Sequence, residues 1–324
     1  MYYRKPALGY RDNVIRKREG ALAGTLLAAV AFSACSRSAD RAANDSGAPR
    51  DSLRADTTVA APPFREWRAE AGRHLLIAGE APDTALVIFP EFTADSSLDN
   101  IQFVLDGAQD TYELFAPNGA ATLARLTRID QGPSTGCDRW PAARVEPAGE
   151  LRTWTVGFQA NHARGLTYTS VDQLPARDST GIAVAVARLA SQAPNDTVSA
   201  LRGLPYVVRS AHVAQLSDSQ MVVFGEAMRR VNVEANPFEE RTIVIGERNL
   251  RAAEARFILG FSERHTGDEE SVPTTELIGV VELRSRVVLS FLSREYSDGG
   301  VFLMLERQSA GTWRARWQSA YAGC

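Results

Sequence analysis

The chain is 324 residues long, 44% hydrophobic and 23% charged, and its 36 basic and 39 acidic residues give a formal charge of −3. That balance excludes collagen-like, low-complexity and wholly disordered chains, each of which needs a composition far from the globular average. No stretch reaches the roughly 18 to 20 apolar residues of a membrane-spanning helix, and the basic surplus that nucleic-acid phosphates demand is missing.

Residues 1–34 read as a processed leader. Arg4, Lys5, Arg11, Arg16, Lys17 and Arg18 form a positive front, and residues 21–34 then run without charge, the pattern of a secretory signal. The run ends in Phe32-Ser33-Ala34-Cys35. Two small residues before a cysteine resemble the lipobox of bacterial lipoproteins, with Phe32 standing where that family usually has Leu. The resemblance implies that Cys35 is diacylated, freed by cleavage and N-acylated. Acyl chains contribute about 0.8 kcal/mol per buried methylene, so such a residue anchors a protein to a membrane without a helix. Ser36 follows, and the absence of Asp there resembles lipoproteins sent to the outer membrane. An ordinary secretory signal that happens to end in a cysteine is the alternative reading.

Removal of the leader takes away six basic and two acidic residues, leaving 30 against 37 and a charge of −7. It also removes Lys5 and Lys17, which are the chain's lysines. A Walker phosphate loop, a Schiff-base enzyme, a Ser-Lys acyl transferase and a protein kinase each need a lysine, so a lysine-free mature chain excludes all four. No nucleotide, cofactor or nucleic acid is expected as a partner.

Residues 35–63 are rich in Ala, Ser, Asp, Arg and Pro and almost devoid of large apolar side chains. Such a segment cannot bury enough surface to offset its ordering entropy and is expected to be a disordered tether with a reach of about 30 Å. A β-rich region is expected over 64–170, a helix with its connection over 171–200, and an antiparallel β region over 201–324.

In the first of these, short strand-like runs stand at 74–79, 85–92, 101–105, 112–115, 121–129 and 154–160, each bounded by Gly, Pro, Asn or Asp. Pro117-Asn118-Gly119 suits a hairpin turn of type I′. Asp178 or Ser179 can cap a helix carrying Ile182, Val186 and Leu189 at helical spacing and stopped by Pro194 and Asn195. Its apolar face suits packing against a sheet, or a partner groove.

Eight strands are expected in the remainder, near 205–215, 220–231, 240–248, 255–264, 275–283, 287–295, 300–307 and 312–320, so the fold class is mainly β, as an antiparallel meander. Runs at 242–248, 257–264 and 301–307 each end in Glu-Arg. This weak self-similarity, confined to about the last 110 residues, resembles degenerate propeller blades or FG-GAP repeats. Their Asp-x-Asp-x-Asp-Gly calcium loop is missing, so the resemblance implies architecture alone. An eight-stranded lipocalin-type barrel fits the same count.

Few constellations carry chemistry. Gly132-Pro133-Ser134-Thr135-Gly136 spells the G-x-S-x-G nucleophile pattern, but Pro141 follows too soon for the helix that such a serine needs. His74, His162, His212 and His265 are scattered and match no zinc motif. The acidic stretches at 106–110 and 267–270 could offer oxygen ligands to calcium but lack the alternation of a calcium loop. On a regular strand Trp313 and Trp317 share a face, opposite Arg314 and Arg316, which reads as a sugar-stacking platform or as core. With Cys35 acylated, Cys137 and Cys324 are left as a pair in an oxidising compartment and are expected to form a disulfide.

The functional expectation is a non-enzymatic cell-envelope lipoprotein that binds a protein or polysaccharide partner. The competing class is a hydrolase whose carboxylates, among Glu91, Asp95 and Asp99, converge only in the fold.

Overall fold

A computed structural model describes residues 66–99, 101–104, 110–130, 137–150, 153–194, 198–232, 237–309 and 311–324. The fold is mainly β, with antiparallel sheets and a single α-helix among the described residues. No described helix is long and apolar enough to cross a membrane.

Six strands come first: β1 (Leu75–Ala78), β2 (Thr84–Ile88), β3 (Thr111–Phe115), β4 (Ala121–Asp130), β5 (Ala142–Pro147) and β6 (Val156–Gln159). They close into a barrel in the order β1-β2-β5-β4-β3-β6, and closure leaves no exposed edge. Strand β5 falls where none was expected, and the run at 101–104 forms no strand. The β3–β4 connection is also longer than a two-residue type I′ turn. Gly119 alone has positive φ there, at 76°, while Asn118 Oδ1 accepts from the Ala120 N–H at 3.0 Å and closes the loop locally.

Next come β7 (Ala163–Gly165) and β8 (Tyr168–Ser170), then the helix α1 (Ala176–Ser191). The helix begins ahead of the expected caps. Pro175 stands at its N-cap without a side-chain bond, and the Asp178 and Ser179 N–H groups donate to the Pro175 carbonyl. Proline fits this boundary because its fixed φ and missing donor are tolerated at a helix start, and Asp178 then lies in the first turn, where the dipole favours an acid.

All eight C-terminal strands form: β9 (Val207–Ser217), β10 (Gln220–Val231), β11 (Phe238–Asn249), β12 (Ile258–Asp268), β13 (Thr274–Leu283), β14 (Val288–Glu295), β15 (Gly299–Ser309) and β16 (Thr312–Gln318). They divide into two sheets, β12-β11-β10-β9-β8 and β16-β15-β14-β13-β7, with β17 (Ala322–Gly323) added beside β15. No ladder joins β12 to β13, so the eight do not close into one lipocalin-type barrel. The residues 163–170, expected with the N-terminal region, are shared between these two sheets.

Three cores hold the layers together. Leu303 and Leu305 alternate with Met304 along β15. The leucines join Val222, Phe224, Ile243 and Ile245 in a core between the sheets. Met304, with Leu289, Phe291 and Trp317, joins the barrel core of Leu75, Leu114 and Phe158. On the far face of the other sheet, Ile182, Val186 and Leu189 of α1 pack on Val223 and Val244. The helical face expected from spacing therefore covers a sheet. Gly225 and Gly246 make the trough that receives it: a Cβ at Gly225 would stand 2.6 Å from Val186 Cγ1, and one at Gly246 2.5 Å from Leu189 Cδ1.

Candidate functional site

Beneath the C-terminal end of α1 the sheet changes character. Along β11 the residues facing the helix run Gly246, Val244, Thr242, Glu240, the first two under α1 and the last two beyond its apolar face. There the chain returns from the helix through Gly203, whose φ is 81°, and Pro205 to bring Tyr206 over the sheet. The result is a cavity of about 530 Å³ walled by Ala187 of α1, Leu204, Arg202, Tyr206, Arg229 of β10 and Arg264 of β12.

Glu240 is the hub behind that wall. It is fully buried and stands directly across from Arg229 in the β10–β11 ladder. Its Oε1 accepts from Tyr206 Oη at 2.6 Å and from Arg229 Nε at 2.9 Å, and its Oε2 from Arg229 Nη2 at 3.3 Å. Arg264 Nε lies 3.4 Å from Oε1, and Arg264 Nη2 donates to the Ala193 carbonyl at 3.3 Å. The Arg229 guanidinium also lies over the Tyr206 ring, 4.7 Å from its centroid, a favourable cation–π placement. Burial, then the bond to Glu240, push the Tyr206 phenol above its usual range, so it remains a donor. These are groups that hold an anion. A guanidinium cannot give up its proton near neutral pH and cannot serve as a general base.

A second polar layer lies between the sheets. Arg241 donates to Glu239 through Nε at 3.1 Å and Nη2 at 2.9 Å. The Thr275 N–H donates to Glu226 at 2.9 Å, and burial raises the Glu226 carboxyl above its usual range. Arg294 Nη2 donates to Glu263 at 2.6 Å. Burial opposes ionisation of Glu263, but the His265 hydrogen bond and the Arg294 charge together bring it down to about 2. The space beside Glu226 and Thr275 is about 20 Å³, too small for a substrate.

The residues singled out from sequence fare differently. Cys137 and Cys324 form a disulfide, with Cα atoms 4.6 Å apart across a separation of 187 residues. Beside it Asp138 and Gly323 exchange backbone hydrogen bonds at 3.0 and 2.8 Å. Cys35, Ser134 and the stretch 106–109 lie outside the described residues.

Trp313 and Trp317 require a correction. They are 3% and 0% exposed, which leaves no ring face for a sugar to stack on. Nor do they share a face. The β15–β16 register shifts by one residue between the pairs Met304↔Trp317 and Leu305↔Ala315, and such a bulge switches the side on which later residues point. Trp313 therefore enters the core between the sheets, whereas Trp317 enters the barrel core.

The histidines are dispersed. His74 is buried beside Tyr112, His162 contacts the Glu70 carbonyl, His212 meets the Tyr168 ring edge to face and His265 faces Glu263. Among the described residues no three His, Cys, Asp and Glu side chains are placed to hold a metal ion. Glu91, Asp95 and Asp99 are exposed on the loop after β2, and none of them lines either cavity. In the stretch 267–270, Asp268 accepts from the Ser271 and Val272 N–H groups through its carbonyl and Glu269 lies 3.6 Å from Arg230.

Arg202, Tyr206, Arg229, Glu240 and Arg264 carry no motif. The available signal was the paired charges of Arg229-Arg230 and Glu239-Glu240-Arg241 inside otherwise apolar strands, because buried charges occur only where they are paired. Comparison with known protein families, characterised proteins and solved structures finds no match for this chain.

Proposed function

We propose that the chain is a lipid-anchored protein of the bacterial cell envelope that binds a partner and does not transform it. The single observation that carries the binding role is the cavity beside α1, whose wall of arginines and a protonated tyrosine recognises charge and does not shuttle protons. The Cys137–Cys324 disulfide supports an exported body, since such bonds persist in oxidising compartments. Cys35, acylated and left as the first residue once 1–34 are removed, supplies the anchor, residues 36–63 the tether, and Ser36 favours the outer membrane. The partner is a protein or polysaccharide of the envelope.

The test has two arms. Metabolic labelling with a palmitate analogue should mark the parent and leave Cys35→Ala unlabelled and outside the detergent phase. Crosslinked envelopes should yield a reproducible partner that the purified protein leaves intact after prolonged incubation. Cleavage of that partner would replace this reading with the hydrolase, and equal membrane retention of Cys35→Ala would remove the anchor.

A further inference from the structure

We infer that the face built around Phe257 lays the body against the headgroups of an anionic bilayer, with its arginines on the lipid phosphates. The inference goes beyond the partner proposed above and takes from that reading only the anchor that keeps the body near a membrane.

Phe257, buried in the core beneath α1, gathers the cations. Arg188 of α1 donates through Nη2 to its carbonyl at 2.9 Å. The Arg248 guanidinium lies over its ring, 4.8 Å from the centroid, and Nη2 donates to Met221 Sδ at 3.3 Å. A carbonyl, a thioether and a ring face orient a guanidinium without cancelling its charge. Arg251 and Arg256 stand exposed on the segment that leads from β11 to Phe257. Among the described residues Arg188, Arg248 and Arg251 make no ion pair, whereas Arg229, Arg241, Arg294 and Arg307 each pair with a glutamate. Arg256 meets Glu254 at 3.9 Å, with side chains 67% and 81% exposed, and such a pair contributes little. The other acid nearby is Asp218, whose neighbour Ser219 accepts from the Leu250 N–H. Four cations against these two acids leave a local positive surplus.

Apolar side chains are exposed among the arginines. Val184, one turn before Arg188 on the same face of α1, is 64% exposed, and Leu250, next to Arg251, is 37% exposed. Arginines interleaved with aliphatic groups suit a bilayer interface, where the first meet phosphates and the second the acyl boundary. An acidic polysaccharide would satisfy the arginines alone. With the leader removed the chain carries −7, so an anionic surface repels most orientations of the body and favours the one that presents this face.

The experiment is arginine labelling with phenylglyoxal, read by mass spectrometry, on the full chain mixed with vesicles of phosphatidylcholine alone or with phosphatidylglycerol added. Arg188, Arg251 and Arg256 should react several-fold more slowly on the anionic vesicles, and high salt should remove the difference. Arg125 and Arg128, exposed on β4, should react alike on both. Each arginine near an anionic surface raises partitioning roughly fivefold, so Arg251→Gln/Arg256→Gln should return Arg188 to its phosphatidylcholine rate. Both side chains lie outside the core, and circular dichroism should stay at the parent spectrum.

Equal rates on the two vesicle types, equal slowing of Arg125 and Arg128, or undiminished protection in the folded double variant would overturn the inference. Slowing by dissolved polygalacturonate with none on vesicles would also overturn it and give the face to an acidic polysaccharide. Flotation with phosphatidylcholine alone reports the anchor separately. If the chain fails to float there, the anchor falls while the comparison between vesicle types still decides the face.

Discussion

Trp313 and Glu247 join the two sheets, the indole Nε1 donating to Oε1 of the carboxylate at 2.7 Å. The same carboxylate takes Arg307 through Nε at 2.6 Å and Nη2 at 2.9 Å, and the Gly311 N–H at 2.9 Å. One side chain of β11 thus fastens β15, β16 and the turn between them. With Glu247 6% exposed, its removal would leave several donors without their acceptor in a poorly hydrated place. Glu247→Ala should cost about 3 to 5 kcal/mol, the range for breaking a buried pair, and Trp313→Phe should forfeit the indole bond, about 1 kcal/mol. Urea unfolding measures both, and a Glu247→Ala variant within experimental error of the parent would show that the sheets are held by their apolar core alone.

The disulfide sets a second expectation. The Cys137→Ser/Cys324→Ser variant should lose about 2 to 5 kcal/mol, and the parent in reductant should unfold at the same denaturant concentration as the variant without it. Amide exchange should quicken at β17, which the bond and the Asp138–Gly323 bridge hold beside β15. A parent whose transition ignores reductant would contradict this.

Acid should act through Glu263. Its carboxyl titrates near 2, below the ordinary 4.5, so the folded state holds this group ionised more firmly than the unfolded state does. The stability it contributes is complete above pH 4.5 and drains away as pH falls toward 2. Glu263→Gln should be less stable than the parent at neutral pH, and the gap should narrow on acidification through that window. Parallel stability curves for the two proteins from pH 6 to pH 2 would rule the ion pair out as the source.

Two glycines should answer the same substitution with opposite signs. At Gly225 a new methyl would meet Val186 of α1 at 2.6 Å, whereas at Gly181, within α1, nothing lies within 4 Å. Gly225→Ala should destabilise by about 1 to 3 kcal/mol through overpacking. Gly181→Ala should stabilise by about 0.5 to 1 kcal/mol by restricting the unfolded chain. Thermal melts of the pair decide it, and a shift of the same sign in both would mean that α1 is not seated in the trough.

The C-terminal strands were legible because several are long apolar runs bounded by turn residues, and the two signals together located all eight. The barrel was not. Residues Ala142–Pro147 of β5 mix Arg, Glu and Pro with alanine, a composition that signals a strand only when neighbours on both sides pair with it. Closure is a long-range event with no local signature. The indoles were misplaced for a different reason: one extra residue at Arg316 reverses the face of a strand, and periodicity presumes that no such residue exists. The cavity lay closest to being readable. Once β10 and β11 are taken as a hairpin, counting along the ladder places Arg229 opposite Glu240, but what walls the space above them depends on where residues 202–206 cross the sheet, which no pattern of residues foretells.

A bond that spans 187 residues also imposes a timetable. In a chain that is exported before it is oxidised, Cys137 enters the oxidising compartment 187 residues ahead of the cysteine it must join. For that interval the barrel strands that flank it can pair while its thiol stays open to any oxidant, disulfide exchange catalyst or neighbouring chain. Correct oxidation therefore reports completion. A molecule with Cys137 bonded to Cys324 has already brought its last strands to the barrel, and a molecule captured with Cys137 bonded elsewhere was intercepted before they arrived.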